Sequence, residues 1–265
     1  MPHAGGATHL NPETIPSTGE KGMKRVPTGI PGFDELIEGG FPEGASILLG
    51  GGPGAGKTIF AMQYIYEGAR SFNEPGLYVT LETGLKDITW NMQSFSWDIK
   101  AMQDKNLMKI YRLNLTRSHS QEEIEQQIEK ELSIITKMVD SIDAKRLVID
   151  SVTSFGVWIA EHGALRNIIF EFVNRLKETG CTTLLTSEIP GEDRNTIGYK
   201  FSAYGVEEFV VDGVVGLYFT PPNRSIFVRK LRGTNHSKSL HTFDVVENGI
   251  EVRPKDEILW GALRQ

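Results

Sequence analysis

The chain has 265 residues, a formal net charge of −6 and one cysteine, Cys181. Hydrophobic residues make up 39% and charged residues 23%, the balance of a soluble globular domain. One thiol excludes an internal disulfide framework, the lack of an 18-residue apolar run argues against a spanning helix, and the acidic total disfavours broad contact with nucleic-acid phosphates.

Residues 1–22, MPHAGGATHLNPETIPSTGEKG, are rich in Gly, Pro, Thr and Glu and lack a signal-peptide core. A mobile N-terminal tail is expected there, followed by a single folded domain over 23–265, with a cytoplasmic location. The first strand is SILLG at 46–50. GGPGAGKT, residues 51–58, follows it and matches G-x-x-x-x-G-K-[ST] in full. The helical run KTIFAMQYIYEGAR comes next, so both elements that the motif requires are in place. Gly51, Gly52, Gly54 and Gly56, with Pro53 and Ala55 between them, let backbone N–H groups converge on an anion. The helix that opens through Lys57, Thr58 and Ile59 adds its positive end. Lys57 is placed to bridge β- and γ-phosphate oxygens, and the Thr58 hydroxyl to ligate Mg2+.

Further strands are expected at 76–81, 107–113, 146–150 and 182–187, alternating with amphipathic helices. This is the pattern of an α/β fold with a mostly parallel twisted sheet covered on both faces. Ile124, Ile128, Leu132, Ile135 and Val139 form one helix stripe; Leu165, Ile168, Ile169, Phe172, Val173 and Leu176 form another, with Gly180 just past its end. The Glu and Gln residues of the first helix read as a solvated face. Cys181, in CTTLLTS, reads as a buried thiol rather than a nucleophile. RLVID ends in Asp150, the expected carboxylate of a Mg2+ site, and YVTLET carries Glu82, the candidate base that orients water toward a γ-phosphate. The guanine-reading N-K-x-D signature is absent, which favours ATP over GTP.

After residue 205 the pattern changes to C-terminal antiparallel hairpins. One turns at Pro221-Pro222-Asn223-Arg224 and the other at Glu247-Asn248-Gly249. The second strand of the first hairpin leads into RKLRGTNHSK, which concentrates Arg229, Lys230, Arg232, His236 and Lys238 in an acidic chain.

Taken together, GIPGFDELIEGGFPEG, the phosphate loop, YVTLET, SFSWDI, RLVIDSVTS, YGVEEFVVDGVV and KLRGTNHSK resemble the KaiC family within the RecA/RadA-type P-loop ATPases. The likeness covers about residues 24–254 in one copy. It implies a RecA-like core and a ring, commonly a hexamer of identical chains, with ATP between adjacent subunits. It further implies that Lys230 and Arg232 reach a neighbour's γ-phosphate, with Leu231, Thr234 and His236 on the same wall and Ser94 near the base. The basic strip would then serve a nucleotide across a subunit boundary.

Two departures carry expectations. The family pairs glutamates after the second strand, whereas Thr83 follows Glu82 here, so slow hydrolysis is expected. The loop EIPGEDRNTIGYKFSAYG lacks the adjacent Ser-Thr pair phosphorylated in the clock protein's second copy, so no autokinase cycle is expected. The implied role is regulatory signalling to an unidentified protein partner. The alternative is a RadA-type recombination protein, in which Arg194, Tyr199, Lys200 and Phe201 would meet single-stranded DNA. A small-molecule phosphotransferase is the weaker third reading.

Overall fold

The computed structural model describes residues 22–116, 118, 120–159, 161–189 and 201–259. The expected tail, Gly22 apart, lies outside the described residues, as do Arg194, Tyr199 and Lys200. At the start, β1 (Arg25–Val26) and β2 (Phe41–Pro42) pair antiparallel. Between them Asp34 accepts the Thr28 amide at 3.0 Å and the Thr28 hydroxyl at 2.6 Å.

The main sheet holds β3 (Ser46–Gly51), β4 (Gly76–Thr80), β5 (Met108–Arg112), β6 (Arg146–Asp150), β7 (Thr182–Glu188), β8 (Gly213–Thr220), β9 (Asn223–Leu231), β10 (Leu240–Val246) and β11 (Gly249–Ile258). Their order is β11-β10-β9-β8-β3-β7-β6-β4-β5. The five expected core strands all form, with ends moved by a residue at most. The helices are α1 (Lys57–Ser71), α2 (Leu85–Asn91), α3 (Ile99–Asp104), α4 (Gln121–Ile142), α5 (Phe155–Trp158), α6 (His162–Lys177) and α7 (Glu207–Val210).

The strands read as unbroken apolar runs because successive side chains enter two different cores. Leu147 and Ile149 of β6 face the core built with α4 and α6, while Val148 faces the core built with α1. Both helix stripes are buried as expected, each large aliphatic side chain contributing about 1.5–3 kcal/mol. The solvated face of α4 has one exception: Glu131 is buried and accepts the Tyr111 hydroxyl at 2.7 Å. Cys181 is buried, and burial pushes its thiol above the ordinary value. Arg146 is fully buried too. Its guanidinium donates to the carbonyls of Pro27 at 2.7 Å and Tyr64 at 2.8 Å and pairs with Glu74 at 2.7 Å, which makes its burial tolerable.

The appended strands join the same sheet. β8 runs parallel to β3, and only from β9 onward is the pairing antiparallel. The first hairpin turns on Pro221 and Pro222 alone, since Thr220 already pairs with Asn223. The second has a loop of Glu247 and Asn248, with Gly249 opening β11 opposite Val246.

Candidate functional site

β3 delivers the chain at Gly51 next to the end of β7, where Gly51 pairs with Glu188. Its last residues need to be small: a Cβ on Gly50 would lie 1.9 Å from the Phe201 carbonyl oxygen. The chain then turns back through Gly54 at φ 75° and Gly56 at φ 101°, conformations open to glycine, and enters α1 at Lys57. Pro53, Gly54, Gly56, Lys57, Thr58 and Ile59 line a cavity of about 400 Å3. Glu82, Thr83, Asp150, Ser151 and Glu188 complete it. The cavity thus lies at the carboxyl edge of the parallel strands, beside the start of a 15-residue helix.

Lys57 Nζ donates to the carbonyls of Gly51 at 2.8 Å and Gly52 at 3.1 Å. Burial lowers its pKa, opposed by the charges of Glu188, Asp150 and Glu82.

Asp150 ends β6, with β7 between it and β3. Its Oδ2 accepts the Thr58 hydroxyl at 3.0 Å and the Tyr78 hydroxyl, and its Oδ1 accepts the Thr186 hydroxyl. Burial first, and then the Asp150 carboxylate, pushes the Tyr78 phenol well above its ordinary value, so it stays a donor. The Thr58 and Asp150 oxygens are hard donors at the mouth of a phosphate loop. They suit Mg2+, which takes one or two protein oxygens and completes its shell from phosphate and water. Among the described residues no group of three or more His, Cys, Asp or Glu forms a self-sufficient metal cluster.

Glu82 follows β4, which lies three strand positions from β3 rather than beside it. Its carboxylate nevertheless lines the same cavity as the phosphate loop, at the carboxyl edge. Its Oε1 accepts the hydroxyls of Ser154 and, at 3.3 Å, Ser151. Glu188 was not anticipated. It closes the apolar strand TTLLTSE just as Asp150 closes RLVID, so the same strand-terminal signal was available.

The basic strip lies elsewhere. Leu231, at the end of β9, pairs with Gly213, which pairs with Ile47 near the start of β3. The strip therefore sits at the amino edge of the sheet, while the phosphate loop leaves the carboxyl edge about 13 Å away along β3. None of Ser94, Lys230, Leu231, Arg232, Thr234 and His236 lines the phosphate cavity of its own chain.

The strip is also less free than expected. Lys230 Nζ donates to the carbonyls of Glu208 at 2.9 Å and Val211 at 2.8 Å, because a desolvated ammonium needs acceptors. Burial, then the neighbouring Arg232 charge, holds its pKa down. Leu231 is buried in the core, and Thr234 accepts from Arg25. His236 is mostly buried and its Nδ1 meets the Ser237 carbonyl at 2.7 Å. Arg232 is open, its side chain 63% exposed and 3.3 Å from Asp212, and Arg229 and Lys238 of the strip are exposed as well. Phe201 is fully buried, which removes it as a stacking platform for nucleic acid. No described helix is long and apolar enough to cross a membrane.

Residues 26–257 match the family described as KaiC ATPase. A UPF0273 protein of Pyrococcus horikoshii is 37% identical over 247 residues, covering 89% of this chain and 96% of the relative. The circadian clock oscillator protein KaiC of Parathermosynechococcus lividus is 36% identical over 242 residues, 88% of this chain but 43% of that protein. A crystal structure of a KaiC-like protein from Pyrococcus horikoshii OT3 superposes with a TM-score of 0.76 at 41% identity, covering 88% of this chain and all of the other. A phosphate loop, a Thr58–Asp150 oxygen pair and a match running almost end to end agree with one another: the chain belongs to the KaiC ATPase family.

Proposed function

We propose that this chain binds ATP with Mg2+ and hydrolyses it slowly at sites completed by a second copy of itself in a ring, hexameric by resemblance to the family. Its nucleotide state would be read by a protein partner. The observation that carries this reading is the split between the two halves of the site. Among the described residues, one edge of the sheet holds a phosphate loop with three carboxylates and no cation besides Lys57 in its cavity lining, and the opposite edge holds the exposed Arg232.

Lys57 leaves the Gly51 and Gly52 carbonyls for the phosphates, and backbone N–H groups of the loop and of early α1 hold the oxygens. Thr58 and Asp150 would hold Mg2+, which supplies positive charge against the phosphates. Glu82 orients water and takes its proton, with Ser151 and Ser154 fixing one carboxylate oxygen. Thr83 cannot provide the second acid of the family pattern, so turnover is low. Arg232 supplies the cation to the neighbour's γ-phosphate, with Lys230 supporting the strand that carries it; such a finger contributes about 10³–10⁵ in rate where tested.

The test is mass in solution with and without ATP and Mg2+, run beside phosphate release, for the wild-type chain and Lys57→Ala. Nucleotide-supported assembly and slow phosphate release are expected, both lost in Lys57→Ala. A chain that turns over ATP as a monomer refutes the composite site, and one that binds no nucleotide refutes the ATPase reading.

A further inference from the structure

The stretch GVEEFV at 205–210 lines no part of the phosphate cavity, yet it brings two adjacent acidic side chains to the interior side of α7. Glu207 is almost wholly buried. Its Oε1 accepts the Ser187 hydroxyl at 3.3 Å and the Tyr204 amide at 3.3 Å. Burial raises its carboxyl above the ordinary value. Glu208 accepts the Phe201 amide at 3.0 Å and the Ser202 hydroxyl at 3.1 Å. Together they hold the returning segment 201–204 against the end of β7.

That strand end belongs to the cavity. Ser187 precedes Glu188, and its hydroxyl lies 3.3 Å from Thr153 Oγ1 and accepts the Ala203 amide at 3.1 Å. Thr153 Oγ1 in turn accepts the Glu188 amide at 2.7 Å. The same short segment carries Ser151 and Ser154, the two hydroxyls on Glu82. The far end of α7 belongs to the basic strip, because Lys230 Nζ is seated on the Glu208 and Val211 carbonyls. Asp212, immediately after, accepts the Arg232 amide at 3.0 Å through its carbonyl and pairs with the guanidinium through its carboxylate. The two edges of the sheet are therefore joined by hydrogen bonds through one four-residue helix.

We propose that Glu207 is a positioning residue that couples the phosphate cavity of its own subunit to the Lys230–Arg232 strip, by tying the end of β7 through Ser187 to the helix on which Lys230 is seated. The inference rests on the proposed ATPase reading and deepens it. A nucleotide in one site would shift the strip that this subunit offers to the next, so neighbouring sites would not fire independently.

The test uses the full chain, with Glu207→Ala, Glu207→Gln and Ser187→Ala beside wild type. Three readouts are needed: fluorescent-nucleotide affinity, steady-state phosphate release, and hydrogen exchange of the β9 amides with and without ATP. Glu207→Ala is expected to lower kcat about tenfold with affinity within about twofold, and to abolish the ATP-dependent change in β9 exchange. Glu207→Gln keeps an acceptor for Ser187 and is expected to recover most of both. Ser187→Ala, a smaller change, is expected to mimic Glu207→Ala and serves if that variant fails to fold. ATP binding with wild-type β9 exchange response in both Glu207→Ala and Ser187→Ala overturns the coupling while leaving the ATPase reading intact. A wild-type chain that binds no ATP overturns both.

Discussion

Glu82→Gln keeps the volume of the side chain and an oxygen able to accept from Ser151 and Ser154, and it removes the charge and the basic oxygen. A general base contributes about 10²–10⁴ in rate, which at 1.36 kcal/mol per decade is about 3–5 kcal/mol of barrier. The structure places the expected loss near the lower end. One oxygen of Glu82 is already engaged by two hydroxyls, and Glu188 remains in the same cavity to orient water when Glu82 is silenced. A roughly hundredfold fall in kcat is therefore expected, with nucleotide affinity unchanged or slightly tighter because a carboxylate near the phosphates is gone. Single-turnover phosphate release at saturating ATP, paired with a fluorescent-nucleotide titration, measures the two separately. Turnover within about threefold of wild type would refute the assignment and pass the role to Glu188, for which Glu188→Gln is the direct check.

Arg232→Ala is expected to suppress hydrolysis while sparing nucleotide binding, and mixing it with Glu82→Gln subunits should restore part of the activity. Mixtures no more active than either variant alone would break the assignment of base and finger to different chains. Arg146→Ala leaves Glu74 and the Pro27 and Tyr64 carbonyls without their donor, a loss of about 3–5 kcal/mol read by denaturant unfolding. A shift below about 1 kcal/mol would mean that water replaces the guanidinium. Burial raises the Glu207 carboxyl above its ordinary 4.5, so the folded chain keeps that proton to higher pH than the unfolded chain. Stability from this group is present at low pH and falls as pH rises above about 4.5. Glu207→Gln does not titrate and should gain stability relative to wild type as pH rises, seen in paired denaturant midpoints from about pH 4 to 8; a variant that instead loses stability relative to wild type over that range contradicts the raised pKa.

The sequence alone determined the features that depend on neighbours along the chain. The phosphate loop follows from glycine positions, Lys57 and Thr58, and the two long helices follow from stripes that α4 and α6 bury as written. Asp150 was legible because a carboxylate ending an apolar strand has few purposes beside a phosphate loop. Strand order was not legible, since it is set by how helices cross over the sheet. It put β7 and β6 between β3 and β4, and so made Glu188 a cavity residue. The basic strip shows the same division. Composition identified its charge, but only the antiparallel turn into β9 sent it to the sheet edge opposite the phosphate loop, and only packing tied Lys230 to α7 and buried Leu231, leaving Arg232 open. Local rules fix what each segment can bind; the pairing of distant strands fixes which segments meet, because that pairing satisfies backbone groups and apolar faces contributed by segments far apart in the chain.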